Sequence, residues 1–232
     1  MRNGICTEPV ARPAMRRIAL GAEFLLLFVG LPLGYRFSPV EIPPLPLLWV
    51  VAGYALWRLL RDPGFDRERL WNSGTLPRRL PSILGIFVAW ALGMLWGVRQ
   101  FAPDLEWSLV RPHPLFWAVV MVAYPVLSVY PQGVLYRAFF FERYQALFPA
   151  KWAMVLASAA AFAFLHVIFR NWLAVGLTCA GGLLFALRYA QTRSLATSSF
   201  EHALFGCWLF TVGLGQYFFH GTVEAVSSSL RW

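Results

Sequence analysis

Gln132, Arg137, His166, Glu201 and His202 are chemically capable side chains set in one of the most apolar parts of a very apolar chain. A neutral imidazole can take a proton, hold a metal, or donate a hydrogen bond to an oxyanion. An arginine and a glutamine can orient a carbonyl, and a carboxylate such as Glu201 can act as a base. Charged and imidazole groups inside membrane spans cost free energy and usually face a bundle interior or a cavity, so each marks a candidate functional position. Two imidazoles, a guanidinium and a carboxylate within one stretch are therefore weighed as a site, against the plainer reading that each satisfies a neighbour across a helix interface. Glu142 and Arg143 read as a terminal or interfacial pair with snorkelling side chains. Glu23, in the first apolar segment, reads as isolated.

The elements that must position these groups follow from composition. The chain has 232 residues, 59% hydrophobic and 13% charged, about half the charged share of an ordinary soluble domain. It is an integral membrane protein, expected to be all-α: a polytopic membrane bundle of seven or eight transmembrane helices. Spans are expected at 18–35, 44–60, 83–98, 114–130, 152–169, 172–190 and 195–219. The piece from 132 to 148 is apolar but interrupted by charge. It reads equally as a continuation of the fourth span beyond Pro131, an extra buried helix, or an interfacial one.

The net charge of +9 comes almost wholly from arginine, with Lys151 the single lysine. These charges lie between apolar segments, so they are topology signals and no nucleic-acid partner is implied. Basic residues crowd the N-terminal tail and the loop from Arg61 to Arg79, while the loops near Pro43 and Asp104 are poor in them. The positive-inside rule then puts the N-terminus in the cytoplasm, with a bacterial inner membrane as the expected location. Cys6, Cys179 and Cys207 form no disulfide or zinc pattern. The chain divides loosely into a basic tail (1–17), front helices (18–130), a polar-bearing core (131–220) and a C-terminal tail (221–232). The Gly181–Gly182 pair marks close helix packing.

Three short patterns recur in order: QGVLYR from Gln132 to Arg137, FAFLH from Phe162 to His166, and HALFG from His202 to Gly206. The last follows TRSLATSSFE. Together they resemble the CAAX protease and bacteriocin-processing (Abi) family of intramembrane endopeptidases, whose motifs read EExxxR, FxxxH and HxxxN. The resemblance implies a protease cutting a membrane-anchored protein or peptide near a membrane face, within the lipid bilayer. It carries the site roles onto Arg137, His166 and His202. The family's two glutamates fall on Gln132 and Gly133, and its closing asparagine on Gly206. Gln132 keeps the reach of a glutamate without its basicity, and the two glycines supply no side chain. The site is thus a modified one in which Glu201 or a histidine must serve as base.

A glutamate-type mechanism needs no cofactor. A divalent metal on His166 and His202 is the alternative, although catalytic zinc usually has three protein ligands. Two other functions stay open: a family member without catalysis, acting as a membrane binding or immunity protein, and a membrane haem protein with His166 and His202 as axial ligands.

Overall fold

The computed structural model describes residues 11–40 and 42–218, with side chains from Ala14 onward. The expected C-terminal tail, the first ten residues of the basic tail with Cys6, and the last residue of the seventh expected span lie outside the described residues. Within them the fold is all helical: α1 (Ala14–Arg36), α2 (Pro44–Leu60), α3 (Leu76–Phe101), α4 (Pro114–Arg143), α5 (Lys151–Phe169), α6 (Trp172–Thr192) and α7 (Leu195–Val212). Five of these, α1 and α3 to α6, are long and apolar enough to cross a membrane. The apolar α2 is shorter. The 18-residue α7 falls outside that set, its first half carrying Thr197, Ser198, Ser199, Glu201 and His202.

The ambiguous piece after Pro131 is the continuation of α4. Proline lacks an N–H, so Pro131 cannot donate to the carbonyl of Leu127 one turn back. The Trp49 indole on α2 donates to that oxygen instead, at 3.0 Å. The helix absorbs its prolines by widening into π-turns at Pro125–Val129 and again at Val134–Phe139, a device that membrane helices tolerate when freed backbone groups find partners. Gln132 and Gly133 sit on the short α-helical step between the two π-turns, Tyr130–Gly133. The boundary expected at 130/131 therefore falls inside one unbroken helix.

The helices alternate in direction. At the arginine-rich end, Arg69 bonds Glu142 at 3.0 Å, Thr75 meets Thr197 at 2.8 Å, and Ser194 donates to the carbonyl of Asn72. At the opposite end, Arg170 donates to the carbonyl of Arg36 at 3.1 Å, and Asn171 to that of Tyr217 at 2.8 Å. Gly213 closes α7 there with φ 105°, and a Cβ on it would overlap the carbonyl oxygen of Leu105, so this turn admits only glycine. Nearby, Arg99 bonds Glu106 at 3.0 Å and holds that carboxyl below its ordinary range.

Glu23 is not isolated, as its sequence context suggested. It accepts both Nε and Nη2 of Arg143, at 2.9 and 2.6 Å, and the Tyr144 hydroxyl at 3.3 Å. This ties α1 to the end of α4 beside an aromatic cluster of Phe24, Phe28, Tyr136, Phe140 and Tyr144. The Gly181–Gly182 pair works as close packing. A Cβ on Gly182 would lie 3.0 Å from the Phe162 ring and 3.2 Å from the carbonyl of Ala159, so α5 and α6, the most extensively paired helices, pack nearly backbone to backbone.

Candidate active site

A cavity of about 590 Å³ occupies the half of the bundle away from the arginine-rich loop. Tyr124, Gln132, His166, Thr178 and His202 bring polar groups to walls that are otherwise mostly apolar, built from all seven helices. The cavity runs between the end of α1 and the start of α2, past exposed Leu45, and past exposed Leu127 on α4. No Asp or Glu lines it among the described residues.

His166 sits where α5 tightens into a 3-10 turn, Lys151–Leu165 giving way to His166–Phe169. Its Nδ1 lies 2.8 Å from the carbonyl oxygen of Phe162. A carbonyl only accepts, so Nδ1 carries the proton and Nε2 is left as an acceptor. His202, from the middle of α7, stacks on Phe185 with ring centroids 4.5 Å apart. The Phe162 ring touches both imidazoles, at 4.8 Å from His166 and 5.3 Å from His202. The two histidines thus share one aromatic wall of one cavity.

Gln132 is buried on α4 and reaches the same space. Its Nε2 donates to Ser128 Oγ at 2.8 Å, and its Oε1 is buried with no partner among the described residues. Behind it lies a space of about 10 Å³, bounded by Gln132, Gly133, Arg137, Ser199 and His202 among others. That is room for one water. Ser199 Oγ is also buried without a partner among the described residues. A Cβ at Gly133 would come within 2.9 Å of both Leu195 Cδ1 and Ser199 Oγ. The start of α7 has therefore closed over the position where the resemblance would put a glutamate.

Arg137 is buried and has no carboxylate partner among the described residues. Its Nη1 donates to Ser158 Oγ at 2.6 Å and to the carbonyl of Tyr136 at 3.1 Å. Nη2 donates to the carbonyl of Gly182 at 3.3 Å, and the guanidinium lies 5.0 Å from the centre of the Phe162 ring. Neutral acceptors and a π face thus hold this cation. A lone buried cation carries a desolvation cost that no counter-charge repays, and methionine removes that cost together with the hydrogen bonds to three neutral acceptors. Arg137→Met is therefore expected to unfold within about 1 kcal/mol of wild type, or later, in a denaturant titration in micelles. A loss of several kcal/mol would mean that Arg137 is kept as a structural clamp.

Glu201 is not brought to the cavity. It is fully buried and accepts a two-point fork from Arg188 on α6, Nε to Oε2 at 3.0 Å and Nη2 to Oε1 at 2.9 Å. Arg188 also donates to Ser82 Oγ on α3 at 3.1 Å. The expectation that Glu201 serves as a base finds no support in this geometry, because its oxygens are committed to Arg188 and it lines neither space. Glu142 likewise pairs elsewhere, with Arg69.

Nor does the donor set suit a metal. Among the described residues no three of His, Cys, Asp and Glu converge to hold one, and the cavity lining offers two imidazoles without a third ligand of these types.

Comparison with known proteins adds an independent observation. Residues 112–208 match the family described as type II CAAX prenyl endopeptidase Rce1-like. This stretch of the chain is Rce1-like. No curated protein and no solved structure matches the chain. The Rce1-like segment runs from just before α4 through most of α7, and so contains Gln132, Arg137, His166 and His202 together with their supports.

Two residues of the segment escaped the sequence reading. Arg188 lies inside a span, and an arginine there always needs a partner; that requirement was the signal for pairing it with Glu201. Tyr124 is the other. Its hydroxyl lies 3.3 Å from His202 Nε2, and a Cβ on Gly206 would overlap that hydroxyl and its ring. The lost side chain at 206 hinted that something else fills the space, but no local pattern pointed 82 residues upstream.

Proposed function

We propose that the chain is an intramembrane endopeptidase of the CAAX type with a modified site, cleaving a lipid-anchored or membrane-embedded protein or peptide. One observation carries the reading: within the Rce1-like segment, His166, His202 and Gln132 converge on a single large apolar cavity. An apolar cavity of this size, with few and convergent polar groups, suits a hydrocarbon chain joined to a peptide.

His166 is the base. Its Nε2 is left as an acceptor by the Nδ1 hydrogen bond, so it takes a proton from water as the water attacks the peptide carbonyl. The resulting imidazolium returns that proton to the leaving nitrogen. Arg137 and Gln132 support the site from the α4 side, and Glu201 with Arg188 locks α6 to α7. The absence of a cavity carboxylate favours the second reading, a family member that binds lipidated peptides without cutting them. Purified protein in nanodiscs, given prenylated and acylated peptides, distinguishes the two by mass spectrometry. Retention of every peptide uncut, by protein that binds them, overturns the endopeptidase reading.

The cavity opens at the end of the bundle away from the basic loop, which the positive-inside rule assigns to the non-cytoplasmic face. Substrate is then taken from the outer leaflet or the space beyond it. In a cysteine-free background, a membrane-impermeant maleimide applied to intact cells is expected to label Leu45→Cys and not Ser73→Cys. The reverse pattern would place the cavity mouth on the cytoplasmic side.

A further inference from the structure

We infer that Tyr124 is a catalytic residue, its hydroxyl admitted by Gly206 and held by His202 so that its proton is offered to a substrate carbonyl oxygen. The inference deepens the endopeptidase reading and rests on it for the catalytic part.

Gly206 lies one turn after His202 on α7, and a Cβ at this position would fall on the Tyr124 hydroxyl and the adjoining ring carbons. Any other residue would push the phenol away from His202. The phenol comes from α4, where Tyr124 is the last residue before the π-turn that begins at Pro125. That placement sets its ring edge-on to His202, with centroids 6.2 Å apart, and edge-on to Phe210 at 5.1 Å. Tyr124 lines the large cavity with His166, His202 and Gln132. Among the described residues its hydrogen-bonding neighbour is His202 Nε2, at 3.3 Å.

A phenol and a neutral imidazole can pair in either sense. If the phenol donates, its proton is spent on His202. If His202 Nε2–H donates, the phenolic oxygen is the acceptor and its own proton remains free for the cavity. The second arrangement makes a relay of donors, imidazole N–H to phenol O and phenol O–H to the carbonyl oxygen. As water adds to the carbonyl carbon, the C=O π pair moves onto oxygen, and the Tyr124 O–H stabilises the resulting oxyanion without giving up its proton. The same oxyanion gives the pair back when the C–N bond breaks. His166 handles the water's proton on the other side. The glycine at 206 and the tyrosine at 124 are then one device split between two helices.

The test uses the full chain, labelled with ¹⁵N-histidine, in nanodiscs without substrate, with the His202 signals assigned by His202→Gln. The expected wild-type signal is Nε2 protonated and Nδ1 bare, with the Nε2 signal shifting in Tyr124→Phe and in Gly206→Ala. A bare Nε2 in wild type, or signals unmoved in both variants, overturns the relay. A second measurement uses the lipidated peptides. Both variants should lower kcat by about 10²–10³-fold with KM little changed. Wild-type kcat in Tyr124→Phe overturns the catalytic role even if the signals move. Wild-type protein that cuts no peptide removes the endopeptidase reading and the catalytic role with it, while the histidine spectrum still decides the hydrogen bond.

Discussion

Glu201→Ala is expected to destabilise the folded bundle by about 3–5 kcal/mol, a loss read as an early transition when the protein is titrated with denaturant in micelles. The carboxylate is fully buried and holds Arg188 through two hydrogen bonds. Removing it leaves a guanidinium among apolar helices with, among the described residues, only Ser82 Oγ to meet it. Arg188→Ala should cost a similar amount, leaving an unpaired carboxylate instead. The double variant Arg188→Met with Glu201→Leu removes both charges and fills the space. It should recover most of the loss, because a buried pair and well-packed apolar residues are often of comparable stability.

The comparison also separates two roles for Glu201. A base would give Glu201→Gln near-native stability and no activity. A structural partner gives Glu201→Gln a large stability loss and, in whatever remains folded, activity near wild type. The double variant sharpens this: activity retained by a folded Arg188→Met, Glu201→Leu protein would exclude any proton-transfer role for Glu201.

Much of the scaffold was legible because it depends on properties that a sequence displays directly. Runs of apolar residues gave the helices, and the clustering of arginine at one end gave their alternation. The three short patterns led to His166, His202, Arg137 and Gln132, which the fold does gather around the Phe162 ring and the spaces beside it. What stayed hidden involves partners far apart in the chain. The carbonyl that Pro131 leaves without a donor is met by Trp49, on another helix, and nothing near Pro131 in the sequence points there. Glu23 looked alone because its partner, Arg143, lies 120 residues on. Glu201 looked like a spare carboxylate because adjacency to His202 in sequence is visible and pairing with Arg188 across a helix interface is not. Tyr124 was hidden for a further reason: what identifies it is the absence of a side chain at Gly206.

His166→Ala is expected to lower kcat on a lipidated peptide by about 10²–10⁴-fold, the usual contribution of a positioned base, with KM nearly unchanged. The imidazole is oriented by a directional contact, its Nδ1–H on the carbonyl of Phe162 at 2.8 Å, made where α5 tightens into its final turn. That contact leaves Nε2 as the acceptor, and the ring lines the large cavity. His166→Gln is the more discriminating variant. Its amide keeps much of the size of the ring and can still donate to Phe162, but it cannot take a proton. Equal losses of kcat in the two variants, at near-native stability, identify proton transfer as the missing step. Activity restored in His166→Gln would mean that position 166 only fills space or holds water, and the base would then have to be His202. Its Nε2 faces Tyr124, so with Nε2–H donating to the phenol only Nδ1 would be left to take the proton. The His166 pair of variants and the His202 tautomer are therefore read together: a base at 166 and a donor relay at 202 and 124 are complementary halves of one reaction.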